Sequence, residues 1–301
     1  MSFGKGITLS VATKHTSCTL QAALSTQRVF QQPVNLLLSE PARLSVDLDF
    51  NYIGHADRER MREERPEVER AVARLGQGHG YRVQWSRDAH AGRKLYLAYT
   101  NLAGTADRIE IDLNYLHRVP LGDLEEHVMW QPPGIDRPSL WTLSWAELAA
   151  GKLRATLDRC MPRDLFDTLR LPDLVGRAWQ SPFLRSLHVA LAATLPQPLM
   201  QYNRDRFERV TDEQIGEQLE PMLSRDQKVE AVRLKEQAWQ NIAPLVEGLT
   251  SSEQEYIDQV HQGELLPEVL FPDDGEMVER LSSHPALRWK LDNVRKHQTD
   301  T

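Results

Sequence analysis

Several features are missing from this chain, and each absence narrows the class of protein. No apolar run approaches the ~20 residues that a membrane-spanning helix needs, and no apolar segment typical of a secretory signal is visible. The two cysteines, Cys18 and Cys160, lie far apart, and neither has a second metal ligand at a typical spacing. A disulfide framework is therefore excluded. We expect a cytoplasmic protein that does not associate with membranes.

Acidic residues are missing from the first part of the chain. Residues 1–39 contain neither Asp nor Glu, so all 43 acidic residues lie from Glu40 onward. The same part is rich in Ser, Thr and Gln and has no sustained periodicity, and we predict an irregular or atypical segment over 1–34. The whole chain of 301 residues has a net charge of −7, which argues against a wholly basic nucleic-acid-binding protein. It does not exclude a local basic cleft.

Residues 43–50 alternate strictly between polar and apolar side chains, which predicts a β-strand. The apolar positions 44, 46, 48 and 50 take one face, and Asp47 and Asp49 take the other. Because a strand rises about 3.3 Å per residue, the two carboxylates lie about 6.5–7 Å apart. They are close enough to reach one or two divalent cations. A half-exposed strand whose aspartates face only water is the alternative at this point.

A helix and three more alternating runs follow this strand. The helix is predicted over 57–76, with Pro66 expected to break or restart it, and the runs cover 81–86, 94–99 and 108–114. Their short connections predict an antiparallel meander. Asp112 lies on the polar face of the last run, and it supplies a third carboxylate if that run lies beside the first strand. A solvated strand face is the alternative for Asp112.

The prolines between 116 and 140 mark the best domain boundary. We predict an α+β core over 35–120, a Pro-rich linker over 121–143 and a helical domain over 144–301. Ser144 and Glu147 form the pattern of a helix start, and Lys152 lies at the edge of the apolar stripe that follows.

Three motifs in this order resemble the AbiEii-type nucleotidyltransferase family, which contains toxins of bacterial toxin–antitoxin and phage-defence pairs. The first motif is Arg43-x-Ser45-x-Asp47-x-Asp49-Phe50, and the second is the strand over 109–114. The third runs from Glu147 to Asp167, as Glu-Leu-x-x-x-Lys-Leu-Arg-Ala followed by Arg-x-x-Pro-Arg-Asp-Leu-Phe-Asp. The order and spacing of the motifs make the resemblance specific over residues 35–170.

The resemblance implies a polymerase-beta-like nucleotidyltransferase domain with a mixed or antiparallel sheet, followed by an all-helical domain. It implies metal-dependent transfer of a nucleotide from a nucleoside triphosphate to an acceptor, expected to be RNA, such as a tRNA end. The implied cofactor is Mg²⁺ or Mn²⁺, and the implied partners are the triphosphate, the RNA and a cognate antitoxin. A small hydroxylated acceptor is the alternative within the same chemistry.

The same resemblance implies roles for individual residues. Asp47 and Asp49 would hold the metal, with Asp112 as the third carboxylate. Lys152 would contact the nucleotide phosphates, and Asp164 belongs to the third motif and is counted with the catalytic residues. Two further positions, Arg43 and Ser45, are assigned to nucleotide binding.

The glycine-rich turn of the family, whose backbone N–H groups hold the triphosphate, has no counterpart here. Its place reads Gln31 to Leu36, without glycine and with Pro33, which lacks a backbone N–H donor. A catalytically weak member that acts by binding nucleotide or antitoxin is therefore an alternative from a different functional class. The pair Asp47 and Asp49 disfavours this alternative.

Overall fold

The chain divides into two compact units, Met1–Leu143 and Ser144–Thr301. The computed structural model describes residues 29–31, 42–44, 47–89, 91–101, 103–131, 133–134, 137, 139–224 and 227–299. Within these ranges, none of the helices combines the length and the apolar composition needed to cross a membrane.

The first unit is built on a five-stranded mixed sheet. Its strands are β1 (Val29–Gln31), β2 (Asp47–Tyr52), β3 (Arg82–Trp85), β4 (Gly92–Thr100) and β5 (Ala106–Asn114). The spatial order is β1–β2–β5–β4–β3, in which β2 and β5 run parallel and all other neighbours run antiparallel. The connection from β2 to β3 contains helix α1 (Arg58–Gly78).

One face of this sheet is apolar and packs against α1. Alternation along β2 and β5 turns Leu48, Phe50 and Ile111 toward the helix, where they are buried. The helix contributes an apolar stripe at helical spacing, which includes Met61 and Val72. The opposite face of the sheet therefore carries the polar side chains of the same strands.

A buried ion-pair network also fixes α1 to the sheet. The carboxylate of Glu69, on α1, is almost fully buried and accepts hydrogen bonds from Arg65 at 2.8 Å and from Arg93 of β4 at 2.6 Å. The Arg65 guanidinium also lies 4.6 Å from the centre of the Tyr115 ring. Because two guanidinium groups pair with it, the buried charge of Glu69 is compensated.

Three parts of the first unit differ from the sequence-based expectations. Helix α1 continues through Pro66, because a single lost backbone hydrogen bond is outweighed by the buried contacts of Met61 and Val68 on either side. The segment 121–143, expected to be a linker, contains an antiparallel pair formed by β6 (Glu125–Val128) and β7 (Ser139–Thr142). Within the segment 1–34, β1 pairs with β2, and residues 1–28 and 32–34 lie outside the described part of the chain.

The second unit is helical. Its helices are α2 (Trp145–Arg159), α3 (Pro162–Val175), α4 (Pro182–Ala192), α5 (Asp205–Glu208), α6 (Asp212–Gln218), α7 (Ala231–Val246), α8 (Ser251–Gln262), α9 (Gly275–Ser283) and α10 (Pro285–Thr299). The Ser144 side chain accepts a hydrogen bond from the Glu147 backbone N–H, so α2 begins where the sequence predicts. Helix α2 packs against α3 and α4 through buried leucines, including Leu153, Leu157 and Leu187.

His188 makes the stability of the second unit sensitive to acid. The side chain is fully buried in α4, and burial lowers its pKa from 6.5 to about 4. Between pH 7 and pH 5 the unfolded chain binds a proton at this side chain while the folded chain does not, so acidification favours unfolding. From pH 7 to pH 5, we expect the unfolding free energy of the wild type to fall by about 2 kcal/mol more than that of His188→Gln. Denaturant titrations at both pH values measure this difference, and equal losses would contradict it.

Candidate active site

The register between β2 and β5 brings four carboxylates onto one face of the sheet. Asp47 pairs with Glu110, and Asp49 pairs with Asp112. Paired residues of neighbouring strands lie about 4.8 Å apart and point to the same face. All four alternate with residues of the buried core, so they lie on the face opposite to α1. We call these four residues the carboxylate cluster.

The charges of the cluster repel one another, and this repulsion is visible at Asp112. Burial is the main cause that raises the pKa of the Asp112 carboxyl above its ordinary value, and Lys94 opposes the shift. The negative charges of Glu110 and Asp47 raise the same pKa further. The carboxylates of neighbouring strands therefore share one electrostatic environment, in which the negative charge needs a cation.

Lys94 of β4 supplies a positive charge to the cluster. It pairs in register with Asp112, its ammonium group donates a hydrogen bond to Glu110, and it lies 3.5 Å from Asp112 Oδ2. The hydrogen bond to Glu110 is the main cause that raises the pKa of Lys94, and partial burial opposes it. The side chain is 45% exposed, so its position on the two carboxylates is open to solvent.

The cluster suits a divalent cation in the chemistry of its donors, because hard cations such as Mg²⁺ prefer carboxylate oxygens. In the described part of the chain, however, no three His, Cys, Asp or Glu side chains are grouped so that they could hold a metal ion. The cation that the structure places on Glu110 and Asp112 is the ammonium of Lys94. The donor types therefore suit a divalent cation, but the described side chains are not arranged around one, and Lys94 pairs with two of the donors.

The remaining residues predicted around the first motif have different surroundings. Asp49 is exposed and Asp47 is half-buried, so both carboxylates can be reached from solvent. Arg43 is buried and donates a hydrogen bond to the carbonyl of Leu44 at 2.9 Å. Ser45 lies outside the described residues, as does the segment 32–36 in which the glycine-rich turn has no counterpart. The nucleotide-binding roles of Arg43 and Ser45 stay predictions.

In the second unit, Lys152 forms an ion pair with Asp167. Its ammonium group on α2 donates a hydrogen bond to Asp167 Oδ2 on α3 at 3.0 Å. The Asp167 side chain is 2% exposed, whereas that of Lys152 is 24% exposed. A buried carboxylate therefore holds a lysine that still reaches solvent, and this arrangement orients the positive charge.

Asp164, three residues before Asp167, forms hydrogen bonds that stabilise the local structure. Its carboxylate accepts two hydrogen bonds from Arg159, at 2.6 and 3.2 Å, and one from the backbone N–H of Met161 at 3.3 Å. These contacts satisfy the first turn of α3 and tie it to the end of α2. The catalytic role assigned to Asp164 stays a prediction.

Comparison with known proteins adds an independent observation. A family model described as the nucleotidyl transferase AbiEii toxin of type IV toxin–antitoxin systems matches residues 34–262. The chain belongs to the AbiEii family of toxins. This result confirms the predicted family and the predicted class of enzyme, a nucleotidyltransferase.

Solved structures place this AbiEii protein in the same fold as another toxin. The chain is similar to MenT4, a nucleotidyltransferase toxin from Mycobacterium tuberculosis H37Rv, with a TM-score of 0.61 and 19% sequence identity. The likeness covers 92% of this chain and 94% of that one, and it confirms the predicted α+β fold class. No match was found among curated proteins.

Three residues described above received no role in the analysis of the sequence of this AbiEii protein. Glu110 shares the polar face of β5 with Asp112, so alternation alone shows that the two carboxylates are neighbours. Lys94 has no such signal, because its place beside Asp112 depends on the register between β4 and β5. Asp167 belongs to the third motif and is buried like Asp164, and its ion pair with Lys152 distinguishes the two residues.

Gly92 allows β4 to lie close to the Asp112 end of β5. A Cβ atom at this position would lie 2.7 Å from the backbone oxygen of Leu113 and 3.6 Å from Asp112 Oδ1. Because a backbone oxygen in a sheet has little room to move, we expect Gly92→Ala to shift the strands and to cost about 1–3 kcal/mol of unfolding free energy. Chemical denaturation measures this loss.

Gly151 provides the matched control for Gly92. A Cβ atom at Gly151, within α2, would have no atom within 4 Å. Because alanine restricts the unfolded chain more than glycine and favours a helix, Gly151→Ala should raise the unfolding free energy by about 0.5–1 kcal/mol. A Gly92→Ala protein as stable as the wild type would contradict the close approach of β4 to β5.

Proposed function

We propose that this AbiEii toxin transfers a nucleotide from a nucleoside triphosphate to the end of an RNA molecule, such as a tRNA, in a reaction that depends on Mg²⁺ or Mn²⁺. The observation that supports this proposal is the carboxylate cluster. Nucleotidyl transfer requires a metal held by acidic residues and a positive charge for the triphosphate, and few other groups.

Asp47, Asp49 and Asp112 are the proposed metal ligands. Asp49 and Asp112 are directly paired, and Asp47 lies two residues before Asp49 on the same face. When bound, the cation would neutralise the phosphate charge and stabilise the attacking and leaving oxygens. The contribution of the chain is to hold these oxygen donors on the same face of the sheet.

Lys152 is the proposed phosphate-binding residue. An ammonium group is a compact positive charge suited to phosphate oxygens. Asp167 holds this group in one orientation, while 24% of the lysine side chain stays exposed. A lysine on an apolar helix stripe often only covers apolar surface, and its pairing with a buried aspartate favours a more specific role.

An RNA acceptor is supported by the surface next to the carboxylate cluster. Tyr96 of β4 pairs in register with Glu110, and the Arg108 guanidinium lies 4.5 Å from the centre of the Tyr96 ring. Arg108 and Arg82 are exposed and lie on the same face of the sheet. Stacked aromatic and guanidinium groups on an open sheet are typical of surfaces that bind unpaired bases and phosphates of RNA.

The charge of Asp49 provides the test of metal-dependent transfer. Asp49→Asn keeps the size of the side chain and removes the negative charge that would bind the cation. We expect the rate of nucleotide transfer to fall about a thousandfold. The assay incubates the purified protein with each labelled nucleoside triphosphate, with and without total tRNA, and follows label in RNA.

An exposed aspartate gives the matched control for this assay. Asp173→Asn, on α3, removes one negative charge at an exposed position and should retain wild-type transfer. Growth of cells that express each variant gives a second measurement, because loss of transfer should also remove growth arrest. If Asp49→Asn arrests growth as strongly as the parent, toxicity does not come from metal-dependent transfer.

The role of Lys152 is tested by removing its charge together with that of its partner. Lys152→Met alone would remove the ion pair of the buried Asp167 carboxylate and would destabilise the fold. The double variant Lys152→Met/Asp167→Asn removes both charges. We expect it to stay folded and to lose about a hundredfold in kcat/KM for the triphosphate.

A lysine elsewhere on the surface shows whether this loss is specific. Lys228→Met removes the same charge at an exposed position and should leave kcat/KM unchanged. Circular dichroism and thermal unfolding establish that both proteins are folded. A folded double variant with wild-type kcat/KM would exclude Lys152 from phosphate binding.

A further inference from the structure

Lys94 and a metal ion would require the same carboxylate. The ammonium group of Lys94 lies 3.5 Å from Asp112 Oδ2 and donates a hydrogen bond to Glu110. Asp112 is the proposed third metal ligand, and Asp49 is its direct neighbour across the parallel strands. Two cations close to one carboxylate repel each other, so a metal ion on Asp112 and the ammonium group of Lys94 weaken each other's binding there.

We propose that Lys94 is a built-in counter-cation that competes with the metal ion for Asp112, and that Glu110 holds Lys94 when a metal is bound. This inference rests on the proposed function, since it requires that the carboxylate cluster binds a metal. It makes Lys94 and Glu110 positioning residues that set how tightly the site binds its cation, and neither residue is itself a ligand.

The geometry allows this exchange without movement of the backbone. Glu110 and Asp112 lie on the same strand, two residues apart, and Lys94 already contacts both side chains. The lysine has a flexible four-carbon stem and is 45% exposed, so its ammonium group can leave Asp112 and keep Glu110.

The exchange also gives the cluster a stable state without metal. Four carboxylates on one sheet face repel one another, and the ammonium group neutralises part of this charge. The consequence is a lower affinity for metal than four carboxylates alone would have. Removing Lys94 should therefore strengthen metal binding, a gain that misfolding or general damage would not produce.

The test measures Mn²⁺ binding to the full-length protein by electron paramagnetic resonance at pH 7.5, without nucleotide or RNA. We expect Lys94→Met to bind Mn²⁺ about tenfold more tightly than the wild type, a modest factor because the lysine is partly solvated. Arg70→Met is the control for a change in net charge, because Arg70 is exposed on α1, at the other face of the sheet. It should leave the affinity unchanged.

A charge-matched variant distinguishes competition at Asp112 from an effect of the net charge of the cluster on metal affinity. Lys94→Met/Glu110→Gln removes one positive and one negative charge, so the net charge of the cluster and Lys94 stays that of the wild type. We expect it to bind Mn²⁺ more tightly than the wild type, because Asp112 has lost its competitor. An affinity equal to or weaker than that of the wild type, in this variant and in Lys94→Met, would overturn the inference.

Asp49→Asn distinguishes the failure of this inference from the failure of the proposed function. Suppose that the wild type binds Mn²⁺, that Asp49→Asn does not bind it, and that removal of Lys94 leaves the affinity unchanged. In that case the proposed competition is wrong, and the proposed metal site is not. If neither the wild type nor Lys94→Met binds Mn²⁺ and the wild type transfers no nucleotide, the proposed function is wrong as well. If Lys94→Met alone gains binding that Asp49→Asn abolishes in its background, the inference holds.

Discussion

The parallel pairing of β2 with β5 is the constraint on which both the core and the site of the first unit depend. The register that places Asp49 beside Asp112 also places Leu48 beside Ile111 in the core under α1. Because side chains alternate along a strand, a slip by one residue would turn Asp49 toward the core and Leu48 toward solvent. The hydrophobic effect therefore holds the carboxylates on the opposite face, although they repel one another.

This repulsion shows how the chain combines a stable scaffold with a charged site. Burial and neighbouring acids raise the pKa of Asp112, so ionisation of this side chain opposes folding. Elsewhere in the unit, charge is compensated, as where Arg65 and Arg93 pair with the buried Glu69. At the carboxylate cluster, compensation is partial, because Lys94 neutralises part of the negative charge and is half exposed.

The third motif shows that two aspartates of one short pattern have different physical roles. Asp164 accepts hydrogen bonds from Arg159 and from the backbone N–H of Met161, just before α3, and so shapes the connection between α2 and α3. Asp167, one helical turn later, is buried and holds Lys152. Residues three apart on a helix share a face, and both side chains are buried, but they bind different partners: Asp164 pairs with Arg159, and Asp167 pairs with Lys152.

The sequence by itself determined the local patterns and the family. Alternation placed Asp47 with Asp49, and Asp112 with Glu110, because the direction of successive side chains in a strand depends only on neighbouring residues. The tertiary structure decided what depends on distant contacts: the pairing of β2 with β5, the place of Lys94 beside Asp112, the passage of α1 through its proline, and the β6–β7 pair within an expected linker. Register and packing arise between segments far apart in sequence, where many weak contacts outweigh the local preference of any one residue.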